Sequence, residues 1–241
     1  MALTITEFTQ ASAYLGAAIA MGFGAIGSGV GEGYTASKVT PGMARQPAVR
    51  NELLKTMLIG QAISETPGIF SLVVAMMLVF GDYPGALARA MALLGGGIAV
   101  GVGAIGAGVG TGIASGDACQ GVARRPDASQ NVTMTMLLGQ ALATSPAVFG
   151  FVVSLILVFS TWDSNSVVKA AALLGAGISM GAGAIGPGLG IGYVAARASF
   201  STAVNLRSRA LINRTLLLGA AVAESTSIYA FIVAVLLMYF T

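Results

Sequence analysis

Six long apolar stretches follow one another along the chain, separated by short polar segments. They cover approximately residues 11–36, 53–80, 88–115, 133–159, 167–195 and 211–240. Each is near or above the roughly 20 residues that an α-helix needs to cross the hydrocarbon core of a bilayer. The pattern predicts an all-α membrane protein with six transmembrane helices.

The six stretches are three copies of one helical hairpin. Glu65 occupies the same position of the repeat as Thr144 and Glu224, and the spacing between copies is nearly constant. The polar connections between copies are short, so successive hairpins should be neighbours in space. We predict three hairpin domains with the limits 1–83, 84–162 and 163–241.

The first, third and fifth stretches are dense in glycine, whereas the even stretches are bulky. The first stretch alone holds Gly22, Gly24, Gly27, Gly29, Gly31 and Gly33. Small residues let membrane helices approach closely, and these spacings place them on more than one face. We therefore expect an inner layer of tightly packed odd helices and an outer layer of even helices facing lipid. A glycine-rich nucleotide loop would need a preceding strand, which the pattern does not supply.

Composition and charge agree with a membrane protein. Only 9% of residues are charged, against about 25% in soluble domains. The net charge of +3 comes from basic residues around the turns within the hairpins and does not indicate nucleic-acid binding. In the first turn these residues are Lys38, Arg45, Arg50 and Lys55; in the other two they are Arg124, Arg125, Arg197, Arg207, Arg209 and Arg214.

The distribution of these charges predicts the orientation. The positive-inside rule places the three basic turns in the cytoplasm and both termini outside, in a multi-pass protein of the cell (inner) membrane. Residues 1–10 contain no basic region, so we expect no removable signal peptide. The single Cys119 excludes an intramolecular disulfide.

Two acidic residues, Glu65 and Glu224, lie inside apolar helices. A charge at the centre of a membrane helix costs about 2.5 to 3.5 kcal/mol on insertion scales, so a recurring acid there indicates ion or proton binding. Thr66 adds a hydroxyl beside Glu65, and Pro67 has no N–H to bond the carbonyl of Ile63. A carboxylate, a hydroxyl and a free carbonyl are hard oxygen ligands, which suit Na⁺ or a hydrogen-bonded proton.

The other two copies vary this arrangement. The third keeps Ser225 after Glu224 and adds Tyr229, whose hydroxyl we expect to hold the Glu224 carboxylate. In the second copy, Thr144 is a lost site or a weak ligand, followed by Ser145.

Glu32, in the first glycine-rich helix, is a further candidate ligand. Its equivalents are Thr111 and Ile191. If Glu32 meets Glu65, the two carboxylates cannot both be charged without a cation. The alternatives for Glu32 are a hydrated carboxylate or an ion pair with Lys38.

No catalytic constellation is present: the chain has no histidine and no nucleophile–base pair. We therefore expect neither an enzyme nor a bound cofactor, and the ligand to be the transported Na⁺ or H⁺.

These segments closely resemble the c subunit, or proteolipid, of rotary ATP synthases. The resemblance rests on residues 27–34, 44–47, 58–70, 123–126 and 223–229 and extends over all three copies. It implies a homo-oligomeric rotor ring in membrane lipid, whose carboxylates exchange ions with the stator a subunit. Sodium-specific members have a Gln or Glu at the position of Glu32 and a Ser or Thr after the acid, which implies Na⁺ at Glu65, Thr66, Glu32, Glu224 and Ser225.

The resemblance also implies docking of the central stalk (γ/ε type) on the turns within the hairpins. The matching residues are Arg45, Gln46 and Pro47 in the first turn and Arg124, Arg125 and Pro126 in the second. The third turn departs from this pattern, with residues 204–206 reading Val-Asn-Leu. Fused hairpins with a missing acid are typical of vacuolar- and archaeal-type proteolipids, so a proton-coupled member of that class is an alternative.

Two other function classes compete with the rotor. A secondary transporter is disfavoured, because such proteins use inverted repeats and broken helices, whereas these hairpins run in the same direction. A structural pore proteolipid would tolerate the loss of both Glu65 and Glu224.

The order of hairpins determines which residues meet between them. If each inner helix faces the outer helix of the next hairpin, Glu32 meets Thr144 and Ser145, Thr111 meets Glu224, and Ile191 meets Glu65 of the next chain. We take this order as the working hypothesis, since every interface would then hold an acid. In the opposite order Glu32 meets Glu224, and the interface of Ile191 with Thr144 holds none.

Overall fold

A computed structural model describes residues 4–240 of the chain and contains six long, continuous α-helices. They are α1 (Ile5–Arg45), α2 (Arg50–Phe80), α3 (Leu87–Arg124), α4 (Ser129–Phe159), α5 (Val167–Val204) and α6 (Arg209–Tyr239). Each predicted apolar stretch lies in one of them, the last to within one residue, and all six helices are long and apolar enough to cross a membrane. The chain is therefore a multi-pass membrane protein of three hairpins, as predicted.

The turns within the hairpins are much shorter than the sequence suggested. Each is a single 3-10 turn, at Pro47–Val49, Pro126–Ala128 or Leu206–Ser208. Lys38 and Arg45 lie in α1, and Arg50 and Lys55 in α2, so their placement in a long turn was wrong. Alanine, lysine and arginine are good helix formers, and the helices therefore continue after the side chains become polar.

The third turn folds like the others although it lacks their Arg-Gln-Pro or Arg-Arg-Pro sequence. The residue that precedes the 3-10 turn has φ/ψ of −136°/75° at Gln46, −141°/81° at Arg125 and −141°/91° at Asn205. The Asn205 side chain also accepts a hydrogen bond from the backbone N–H of Arg207. The backbone of this turn therefore does not depend on the proline.

The helices form two layers. The glycine-rich helices α1, α3 and α5 lie side by side in an inner row, with α3 in the middle. In the outer layer, α2 packs against both α1 and α3, and α4 packs against both α3 and α5. Helix α6 packs against α5 and α4, so α1 and α6 form the two open edges of the chain.

Glycine pairs bring the backbones of the inner helices into direct contact. Between α1 and α3 the pairs are Gly27–Gly108 and Gly31–Gly112, and between α3 and α5 they are Gly106–Gly188 and Gly110–Gly192. A Cβ atom on Gly108 would lie 2.5 Å from the carbonyl carbon of Gly27, which no real side chain allows. The predicted close neighbours on both sides of a glycine-rich helix are thus confirmed for α3.

Two basic side chains cap the ends of outer helices. Arg89, at the start of α3, donates to the carbonyls of Val158 (2.7 Å) and Ser160 (2.5 Å) at the end of α4. Lys169, at the equivalent position of α5, donates to the carbonyl of Met238 (2.7 Å) in α6. A cation at a helix C-terminus binds free carbonyls and interacts favourably with the helix dipole.

We expect Gly108→Ala to destabilise the protein by about 1 to 3 kcal/mol, because the added methyl group collides with the α1 backbone. Gly103→Ala in the same helix is the matched control, since its methyl group would meet the Ala184 Cβ at an ordinary 3.5 Å. Thermal denaturation of the purified assemblies measures both changes. Equal midpoints for the two variants would contradict the account of the glycine contacts.

Candidate functional site

Consecutive outer helices meet along one defined face of each. Between α2 and α4 the contacts are Glu52–Ser129 (3.2 Å), Thr56–Thr133 (3.4 Å) and Phe70–Phe151 (ring centroids 4.9 Å apart). Between α4 and α6 they are Asn131–Arg209 (2.7 Å), Thr135–Asn213 (3.1 Å) and Phe149–Phe231 (5.7 Å). Because these pairs are equivalent in the repeat, both interfaces have the same register.

This register places the acid position of each hairpin on the boundary with the preceding hairpin. With about 100° of rotation per residue, Thr144 lies within about 20° of Thr133 and Phe151 and so faces α2. Glu224 has the same relation to Asn213 and Phe231, so it faces α4. Thr144 and Glu224 are accordingly half-buried, whereas Glu65 is exposed, since no helix of this chain covers that face of α2.

Glu32 and Glu65 lie together at the open edge of the first hairpin. With Ser28, Gly29 and Leu72 they line a recess of about 250 Å³ formed by α1 and α2 alone. The two carboxylates are close enough to interact electrostatically. The predicted ligand pair of this hairpin is thus brought together.

Glu32 does not form the alternative ion pair with Lys38 in the described part of the chain. Gln61 donates its amide to the main-chain carbonyl of Glu32 at 3.1 Å. The Lys38 ammonium lies over the Tyr34 ring, 5.0 Å from its centroid. Within residues 4–240 the ion pairs are Arg125–Asp127 and Arg197–Asp117, and neither involves Glu32.

At the depth of the acid position, the boundary between the first and second hairpins holds no carboxylate. Thr111, at the position of Glu32, is fully buried and donates its hydroxyl to the carbonyl of Ala107 at 2.8 Å. Gln140 donates to the carbonyls of Thr111 (2.9 Å) and Gly60 (3.0 Å). With Thr144 at the acid position, neutral hydrogen bonds join the two hairpins at this depth.

At the depth of the acid position, the boundary between the second and third hairpins holds one carboxylate, Glu224; the Asp117–Arg197 ion pair lies nearer the turns within the hairpins. Ile191, at the position of Glu32, is fully buried and packs with Ala143 and Ala220. On the α4 side, Ser145 donates its hydroxyl to the carbonyl of Leu142 at 2.6 Å. The surroundings of Glu224 toward the inner row are therefore hydrocarbon.

The working hypothesis on hairpin order is wrong. It required each inner helix to face the outer helix of the next hairpin, but α3 packs against α2 and α5 against α4. Ile191 accordingly shares a cluster with Ala143, the neighbour of Thr144, and Glu32 lies beside Glu65 of its own hairpin. The opposite order does not hold either, because the inner and acid positions of the same hairpin share one boundary, as Glu32 and Glu65 do.

Tyr229 does not lie beside Glu224, contrary to the sequence expectation. Both residues belong to the continuous helix α6. A separation of five positions turns the two side chains about 140° apart around the helix axis. Tyr229 instead shares a face with Val222, which lies about 20° away. The tyrosine is 63% exposed and therefore points toward the open edge beyond α6.

The hydroxyl and carbonyl ligands predicted near each acid lie close together. Ser225 donates to the carbonyl of Val222 at 2.8 Å. Thr66 donates to the carbonyl of Ala62 at 3.3 Å. Pro67 continues α2 without a bond to Ile63, because it has no N–H. In both helices the hydroxyl beside the acid is thus bonded to a carbonyl of its own helix, and for Thr66 that carbonyl belongs to Ala62 and not to Ile63.

The residues predicted to dock the stalk lie at one end of the helix bundle. Arg45 ends α1 and is followed by Gln46 and Pro47 of the α1–α2 turn, and Arg124 ends α3 and is followed by Arg125 and Pro126 of the α3–α4 turn. Arg125 pairs with the exposed carboxylate of Asp127 at 3.3 Å.

From the sequence, Gln140 was open between an ion ligand and a polar packing residue, and the structure shows that it links three helices. An uncharged amide in an apolar stretch resembles a packing residue, and its buried partners are main-chain carbonyls that a sequence does not reveal. The sequence offered one indication of its role: Gln140 lies one helical turn before Thr144, where the acid is missing.

Comparison with known proteins gives the same match in all three copies. A family model for the c subunit of ATP synthase matches residues 15–78, 94–157 and 174–237. The ATP synthase c subunit of Alkaliphilus oremlandii is 42% identical over 80 residues, which is 33% of this chain and 90% of that protein. Proteins of the same name from Petrotoga mobilis and Thermotoga petrophila are 50% and 46% identical over 66 residues, or 27% of this chain and 69% and 78% of theirs.

We expect Gln140→Met to lower the free energy of unfolding by about 1 to 2 kcal/mol, because it removes two buried hydrogen bonds at similar volume. Gln130→Met in the same helix is the control, since Gln130 is exposed. Denaturation of the purified assembly measures both. A Gln140→Met protein as stable as the control would remove Gln140 as the link between the first two hairpins.

Proposed function

The chain belongs to the ATP synthase c-subunit family, and from this premise we propose that Glu65 and Glu224 carry ions across the membrane. As a c subunit it is a non-catalytic membrane part of the rotor of a rotary ATP synthase. The observation that carries the proposal is that both acids lie within membrane helices at hairpin boundaries. A carboxylate there must be neutralised by an ion to pass lipid and be exposed to release it.

Sodium is the ion that we propose for the site of Glu32 and Glu65. Two carboxylates in one recess give four hard oxygen ligands, and they require a cation when both are charged. Thr66 lies on the far side of α2 from this recess, about 100° around the helix from Glu65. Its hydroxyl and the carbonyl of Ile63 therefore belong to the boundary with the second hairpin, which has no acid.

The open edges of the chain support a ring of identical copies. Gly29 and Gly186 have no atom within 4 Å of a built Cβ, although their equivalents Gly108 and Gly106 are in close contact. On the outer layer, Leu72 of α2 and Tyr229 of α6 are exposed, whereas the equivalent Phe151 and Phe149 pack between outer helices. A second copy with its α1 against α5 would fill these gaps, and repeated head-to-tail contacts close a ring.

In such a ring the second copy completes the site of Glu32 and Glu65. By the register of α2 with α4, the face of α6 with Val222, Ser225 and Tyr229 lies against the neighbouring Glu65. It brings a serine hydroxyl, a main-chain carbonyl and a tyrosine hydroxyl to the recess. The homo-oligomeric contact therefore supplies ligands as well as packing.

The remaining partners follow from family membership. The carboxylates would exchange ions with a stator a subunit, membrane lipid would cover α2, α4 and α6, and a central stalk of γ/ε type would dock on the basic turns. The positive-inside rule supports cytoplasmic turns and external termini in the cell (inner) membrane.

We expect Glu65→Gln and Glu224→Gln each to reduce ATP-driven ion transport by at least about tenfold, or about 1.4 kcal/mol. An amide cannot exchange an ion, and with Thr144 already at the acid position of the second hairpin, each substitution leaves two consecutive hairpins without an ion-binding acid. Ion uptake by vesicles containing the whole complex measures the effect, with Asp82→Asn in an exposed connection as the control. Undiminished transport in both Glu variants would favour a structural proteolipid.

We expect Gly186→Leu to prevent ring assembly, because a leucine at this open glycine would hold the neighbouring α1 away from α5. Ala62→Leu, at an exposed lipid-facing position of α2, is the control of equal bulk. Native mass spectrometry of the detergent-solubilised protein measures the number of chains per particle. Normal rings from Gly186→Leu would contradict the proposed α5–α1 contact.

A further inference from the structure

We propose that the two carboxylate sites of this chain carry different ions: the site of Glu32 and Glu65 takes Na⁺, whereas Glu224 takes only a proton. This inference rests on the proposed function and departs from the sequence expectation of Na⁺ at both. It follows from the unequal surroundings of two acids at the same position of the repeat.

The wall of the Glu224 site toward the inner row lacks oxygen ligands. Ile191 is fully buried where the first hairpin has Glu32, and Ala220 replaces the equivalent Gln61. Both pack with Ala143 in one apolar cluster. A Na⁺ ion here would therefore face hydrocarbon on one side.

The oxygen atoms that remain around Glu224 suit a proton. They are the Ser145 hydroxyl and the Leu142 carbonyl on α4, which are already joined to each other by a 2.6 Å hydrogen bond. A protonated carboxyl group has one O–H to donate, so a single acceptor satisfies it. A hard cation needs several oxygens, and a charged carboxylate without a full ligand shell is costly to bury.

The site of Glu32 and Glu65 has the opposite character. Its recess contains two carboxylates and the Ser28 side chain. The second copy adds Ser225 and the Val222 carbonyl. Two adjacent acids place four carboxylate oxygens around one position, which is the ligand set that a hard cation needs, whereas a proton needs a single acceptor.

Other charged groups do not offset the difference in oxygen ligands between the two acid sites. Helix α4 has no titratable side chain, so none faces Glu224 from that side. The nearest titratable residue to Ile191 along the chain, Tyr193, is exposed. It projects about 200° around the helix from Ile191. On α1 the group that faces Glu65 is Glu32. The titratable residues of α5 and α6 are Lys169, Tyr193, Arg197, Arg209, Arg214, Glu224, Tyr229 and Tyr239.

The test is carbodiimide labelling of the intact purified ring, because carbodiimide modifies protonated carboxyl groups. Peptides containing Glu65 and Glu224 are quantified by mass spectrometry at mildly acidic pH, with Na⁺ compared against equal K⁺. We expect Na⁺ to reduce labelling of Glu65 by at least about tenfold and to leave labelling of Glu224 unchanged. Equal protection at both residues, or labelling at both that ignores Na⁺, would overturn the inference while leaving ion transport intact. Failure to label either residue would instead contradict the proposed function.

Substitutions at the positions of Glu32 and Ile191 distinguish a change in ion selectivity from a change in how accessible the acid is to carbodiimide. Ile191→Gln should create protection of Glu224 by Na⁺, whereas Ile191→Leu should not. Glu32→Ile should abolish the protection of Glu65 by Na⁺. If Glu224 stays insensitive to Na⁺ in an assembled Ile191→Gln ring, Ile191 does not determine the selectivity.

Discussion

The structure depends on direct backbone contact between the glycine-rich inner helices. Gly108 against Gly27 and Gly188 against Gly106 leave no room for a side chain, so they fix the distance and register of neighbouring hairpins. In a membrane, where no hydrophobic force draws helices together, such close packing is the main source of association. Because the same pairs recur, the outer helices repeat their contacts, and the acid position of each hairpin faces the preceding one.

One geometry therefore produces three chemically different boundaries. At the depth of the acid position, the first has Thr111 and Thr144 and is neutral; the second has Ile191 and Glu224; the third, which a second copy would complete in the proposed ring, has Glu32 and Glu65. In a ring of identical single hairpins, the loss of the acid would empty every site at once. Fusion of three hairpins in one chain allows the residues at each boundary to change independently.

The sequence predicted the elements better than their arrangement. Apolar length and the threefold repeat were sufficient for six helices, and dense glycine for the inner layer, because both depend on local composition. Whether α2 packs against the next hairpin or the preceding one was not predictable, because the sequence of the repeat is the same in both cases. Tyr229 was misplaced because its five-residue separation from Glu224 turns it to another face of the helix. The Glu32–Glu65 recess was anticipated because both residues lie at matching depth.

The neutral boundary between the first two hairpins has an energetic consequence for the proposed rotor. Each chain contributes three hairpins to the circumference but only two carboxylate sites. For a ring of a given size, fewer ions cross per turn, while the ATP turnover per turn is set by the catalytic part of the complex. Each ion must then supply more free energy during synthesis, at about 2.3 kcal/mol per charge per 100 mV. In the reverse direction, each ATP drives fewer ions against a steeper gradient, so replacement of the acid by Thr144 favours ion pumping over synthesis.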